Sequence, residues 1–159
     1  MRKIFLFTIC FVFALASQAQ SNTDELTLLQ STYGMNKQEL VAKHMKIPEA
    51  KSAAFWKSYD AYEVSRKAIG QKRVANIKEY ANNYLALTDV DANKLVKNSF
   101  AIQGEYLKLW EKTHKEITKV IGAVKAAQFI QLEMYLENMV RVGISGEIPL
   151  IGEIDHDKK

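Results

Sequence analysis

The chain has 159 residues, 48% of them apolar and 25% charged, with a single cysteine and a net charge of +4. That length suits one domain around one core. Setting aside Arg2 and Lys3 from the 22 basic residues leaves an excess of only two over the 18 acidic ones, which is too small for a nucleic-acid footprint.

Arg2 and Lys3 open the chain, Ile4 to Ala16 is a nearly unbroken apolar run, and Ser17-Gln18-Ala19 supplies small residues at both positions that a signal peptidase reads. Residues 1–19 are therefore expected to be a secretory signal cleaved before Gln20, since the run is shorter than the roughly 20 residues that span a bilayer. Cys10 lies inside it. The processed chain then has no disulfide, no thiolate nucleophile and no cysteine metal ligand, and the expected location is the periplasm, in soluble form.

Thr23-Asp24 can cap a short segment ending at Gly34, and Asn36 with Glu39 three residues on reads as a capping box for a helix to about Lys46. Pro48 fits a first helical position, and from there a 3.6-residue period predicts a long helix over 48–87. Its seam runs Phe55, Tyr59, Tyr62, Ile69, Ile77, Tyr80, Tyr84 and Leu87, with Arg66 and Arg73 filling the two gaps. The stretch "AAFWKSYDAYE" concentrates Phe55, Trp56, Tyr59 and Tyr62 in two turns. One edge of that face is expected to pack and the other, around Trp56, Tyr59 and Tyr62, to meet a partner. Arg66 and Arg73 occupy inward positions, so either they reach water or acidic groups reach them.

Thr88 caps the next predicted helix, over 89–121, and Asp89 and Asp91 favour its positive end. Leu95, Ile102, Tyr106, Leu109, Thr113 and Ile117 line one stripe; Lys108, Lys112, Lys115 and Lys119 form another about 130° away. Gly122 marks a boundary, and a last helix over about 124–142 presents Phe129, Leu132, Leu136 and Val140. Residues 144–159 read as a flexible tail. The fold expected for 20–143 is all-α: two long helices, each about 50 Å, folded back as an antiparallel hairpin with short flanking helices.

Chemistry is sparse. Glu111 and His114, an i, i+3 pair, are the candidates for a metal, with Asp155-His156-Asp157 a second acidic-histidine group, and the reading assigns neither a metal nor a cofactor. Asp89/Asp91 and Glu133/Glu137 are read as capping and helix solvation. No phosphate loop, nucleophile elbow or His-Glu-x-x-His pattern occurs. The chain reads as no enzyme.

"KIPEAKSAAFWKSYDAYE" resembles the hairpin opening of small exported proteins related to the CpxP/Spy family, in the forms found in Bacteroidetes, where a segment of the kind "LTPEEAxxFWPxYxxY" starts the long helix. "KVIGAVKAAQFIQLE" is similar to the family's second helix start, "VLPAKKAxxxxQLE". The family's Leu-Thr-x-x-Gln stands literally at Leu26-Thr27-Leu28-Leu29-Gln30, whereas the two expected places hold Ile47-Pro48-Glu49 and Ile121-Gly122-Ala123. The resemblance implies a helical hairpin that dimerises into a curved cradle and serves in envelope stress. The function expected on that basis is ATP-independent binding of unfolded or acidic envelope proteins by a homodimer, through Trp56, Tyr59, Tyr62, Arg66, Arg73, Lys108, Lys112 and Lys115. The alternative is a periplasmic sensor or modulator of a membrane signalling system, of the sigma-factor or two-component kind, with or without a metal.

Overall fold

The computed structural model describes residues 34–145 together with Ile148 and Ile151. The expected signal peptide, the segment from Thr23, the literal Leu26–Gln30 motif and most of the tail lie outside the described residues.

Four α-helices make up the described chain: α1 (Lys37–Met45), α2 (Glu49–Asn83), α3 (Asp89–Ile121) and α4 (Ala123–Ser145). The all-α hairpin expected from the period is what forms. Among the described residues there is no strand, and no helix is long and apolar enough to cross a membrane.

Each boundary has a local cause. The Glu39 N–H donates to Asn36 Oδ1 and the Asn36 N–H to Glu39 Oε2, both at 3.0 Å, which closes the capping box at the start of α1. Lys46 ends it in the left-handed region, φ 47°, its N–H donating to the Ala42 carbonyl. Pro48 stands at the N-cap of α2, so the helix starts at Glu49, one residue later than predicted. After Asn83 the chain tightens into a 3₁₀ turn, Tyr84–Ala86, and Leu87 is extended. Thr88 Oγ1 then accepts the Asp91 N–H at 3.2 Å and starts α3. Gly122, at φ 87°, is the one residue between α3 and α4, a backbone angle that a side chain would strain. The last helix continues to Ser145, three residues beyond the predicted end: Gly143 does not stop it, and Ile144, one turn after Val140, is still half-buried.

Cross-links fix the hairpin as antiparallel. Lys72 pairs with Glu105, Asn76 donates to Ser99 and to the Leu95 carbonyl, and Lys94 pairs with Glu79 near the turn. The last helix, α4, folds back along α3, and the α1 helix packs against α4. No Cα pair of α2 and α4 lies within 8 Å, so these two helices flank a cleft floored by α3. Rings bridge it at one end: the Phe129 centroid is 5.8 Å from that of Phe55, 6.2 Å from Tyr59 and 5.6 Å from Tyr62, all edge-on. Val41 and Met45 of α1 are completely buried on the same cluster. At the opposite end, among the described residues, α2 and α3 run on past Ser145, and Ile77, Tyr80 and Tyr84 are half-buried.

Candidate functional site

A chain of polar groups runs through the middle of this apolar cluster. Glu63 Oε1 accepts from Lys37 Nζ at 2.6 Å and from Arg66 Nε at 2.8 Å, and Glu63 Oε2 accepts from Arg66 Nη2 at 3.0 Å. Lys37 Nζ also donates to Glu133 Oε2 at 2.7 Å, where the Tyr62 hydroxyl donates at 2.7 Å as well. That hydroxyl in turn accepts from Trp110 Nε1 at 3.3 Å. One ammonium and one guanidinium thus meet two carboxylates, and all four helices contribute.

The two carboxylates sit in different fields. Burial pushes Glu63 upward, but the Lys37 charge and the bonds from Arg66 outweigh it and hold its pKa at about 2. Glu133 is 1% exposed; burial dominates there and raises its pKa, with Lys37 opposing and the Glu63 charge adding. Its Oε1 finds no hydrogen-bond partner among the described residues. The Tyr62 hydroxyl is pushed well above its ordinary range by burial and then by the Glu133 charge. These shifts mark a tightly set internal network.

The second inward arginine meets its own carboxylate. Arg73 pairs with Glu137 through Nη1, with its guanidinium carbon 4.6 Å from the centre of the Tyr106 ring. Arg141 Nε lies 3.7 Å from the same Glu137 oxygen, and Arg141 also donates to Gln103. Of the two fates open to Arg66 and Arg73, acidic partners therefore hold, and both partners come from the same chain. The reading of Glu133 and Glu137 as solvated helix residues is corrected: both are buried, because α4 turns them toward the cleft beside Leu132 and Leu136.

The structure separates the eight residues expected at a partner surface. Tyr59, Tyr62 and Arg66 are buried, the first two against Phe129 and the third on Glu63. Trp56 is half-buried, edge-on to Phe55 and Tyr59, and Arg73 is half-buried on Glu137. Lys108, Lys112 and Lys115 are exposed on α3. For the metal candidates, Glu111 is exposed and His114 half-buried, and among the described residues no group of three or more His, Cys, Asp or Glu is placed to hold an ion.

Sequence reasoning missed the outward edge of α3. Phe100 and Leu107 are 73% and 53% exposed, and Val96 is exposed with them. At about 100° per residue the three fall within about 40° of one another, and Lys97, Lys108 and Lys115 lie roughly 60–100° further round. The signal was an apolar row at fours and sevens, out of phase with the seam through Ile102 and Tyr106.

Comparison of the chain with protein-family models, with curated proteins and with solved structures finds no match.

Proposed function

We propose that this protein is an exported, non-enzymatic holding protein that pairs as a homodimer and shields unfolded or stress-damaged envelope proteins without ATP. The observation that carries the reading is the exposed row Val96, Phe100 and Leu107 beside a row of lysines on the same long helix. Exposed apolar side chains lined up on a folded surface favour contact with other apolar segments. Neighbouring lysines add attraction for acidic chains without fixing a partner's sequence. The rigid backing comes from the hairpin, whose tyrosines and arginines are spent on its own interior. Contact with clients is accordingly assigned to α3 and the half-buried edge at Trp56, and Tyr59, Tyr62 and Arg66 to its support.

The test is suppression of aggregation of a chemically denatured protein by a stoichiometric amount of the processed chain. Suppression that weakens with added salt and with Lys108→Gln/Lys112→Gln/Lys115→Gln is expected. A chain that is helical by circular dichroism yet leaves aggregation unchanged overturns the holding role and leaves the signalling alternative.

A further inference from the structure

The charged residues of α4 are all turned toward the rest of the chain. Glu133 and Glu137 are buried, Lys125 donates to the Met45 carbonyl, and Arg141 donates to Gln103 beside Glu137. The helix's own outward face is therefore uncharged over all 23 residues, whereas α2 and α3 expose lysines and acids along theirs. Val124 and Val142 are 85% and 73% exposed on that face, and Tyr135, Gln131 and Asn138 are exposed between them. The two valines are 18 residues apart, which is five turns of about 3.6 residues, so they point the same way roughly 27 Å apart. Gln131, Tyr135 and Asn138 fall within about 40° of the same line. Val124 with Val142, and Gln131 with Tyr135, are both centred in sequence on Glu133.

We propose that a second copy of the chain docks on this face, α4 against α4 and antiparallel, about a two-fold axis level with Glu133. The inference rests on the homodimer of the proposed function and assigns its interface. A face without charge brings no like charges together when it meets itself, as the lysines of α3 would. A two-fold contact needs a surface that is complementary to itself. In this register each Val124 meets the partner's Val142, and each Gln131 meets the partner's Tyr135. Antiparallel alignment also sets the positive N-terminal end of each α4 beside the negative C-terminal end of the other. The helix is about 35 Å long and about 10 Å across, so pairing covers roughly 350 Å² of each copy. That is under half of the roughly 800 Å² usual for a stable complex, and the dimer is expected at micromolar strength or weaker.

Disulfide trapping and sedimentation of the processed chain test the assignment, since removal of residues 1–19 leaves no native cysteine. Mixed under mild oxidation, Val124→Cys and Val142→Cys chains are expected to cross-link to each other and neither to itself. In the antiparallel pair, copies of one position lie about 27 Å apart, far beyond disulfide reach. Val124→Glu/Val142→Glu sets like charges together at both ends and is expected to weaken pairing at least about tenfold. Val124→Glu/Val142→Lys is expected to restore it, with the helical content of both variants unchanged. A dimer without the mixed cross-link, or one that the two glutamates leave intact, would overturn the α4 interface while the homodimer stands. Cross-linking of Val124→Cys to itself would overturn the antiparallel register. A chain monomeric at high micromolar concentration would overturn the interface and the homodimer together. If that monomer also lost suppression of aggregation in the double glutamate variant, the face would pass to clients instead.

Discussion

The half-buried Glu63 and the buried Glu133 are acids on the same lysine, yet the geometry makes them unequal. Glu63 answers two cations, receiving Lys37 and Arg66 together, whereas Glu133 shares Lys37 and leaves one oxygen unmatched. In Glu133→Gln every cation keeps a carboxylate; in Glu63→Gln Arg66 loses the carboxylate charge on that side chain and one of the two oxygens that accept from it. Glu63→Gln is therefore expected to destabilise the fold by about 3 kcal/mol at neutral pH, as when one partner of a buried pair is removed, and Glu133→Gln by less than half of that. Because the Glu63 pKa is depressed in the folded state, its contribution is full above about pH 5 and lost as pH falls through about 2. Glu133 has the opposite sign: its folded pKa is raised, so its ionisation costs stability as pH rises from the unfolded carboxylate range through the folded value. Urea unfolding of the two variants and the parent between pH 2 and 7 checks both, with the Glu63→Gln deficit shrinking toward zero at the acid end.

At the scale of helices, caps and period made the architecture readable. Asn36/Glu39, Thr88 and Gly122 each mark a boundary that the structure keeps, since capping depends on neighbours in sequence. The internal network was half readable. Arg66 and Arg73 stood out as cations on an apolar period, but the acids that α4 brings to the network, Glu137 on Arg73 and Glu133 on Lys37, were overlooked because they lie next to Leu136 and Leu132, and a seam stepping by threes and fours admits either neighbour. Lys37 gave no sign at all; its burial follows from how a nine-residue helix docks across α2 and α4, which no local pattern encodes. The end of α1 offers an element-scale prediction. Lys46 holds a left-handed conformation that disfavours a residue with a Cβ, its side chain is exposed, and its N–H closes the helix. Lys46→Gly removes the steric cost at some cost in unfolded-chain entropy, so a net gain of about 0.5 kcal/mol is expected, read as a higher urea midpoint.

Taken whole, the molecule spends its charged and aromatic residues unevenly. Around Phe129, four helices enclose Arg66, Lys37, Glu133 and the half-buried Glu63 together; toward the turn at Thr88, the described residues are those of two helices, with half-buried tyrosines. Stability is therefore concentrated at one end, and the outward row of α3 can change without reaching the core. Phe100→Glu/Leu107→Glu tests that division. Both side chains are exposed and neither joins the buried cluster, so the melting temperature should move little, within the roughly 0.5 kcal/mol usual for surface substitutions. Under the proposed holding role, suppression of aggregation should be lost, because the two carboxylates break the apolar row and would repel the acidic clients proposed for it. Light scattering of the same variant separates the two uses of the surface. A variant that remains dimeric but no longer holds clients assigns the row to client contact, and one that falls to monomer assigns it to pairing. A variant that stays dimeric and holds clients as well as the parent would remove α3 from the holding role altogether.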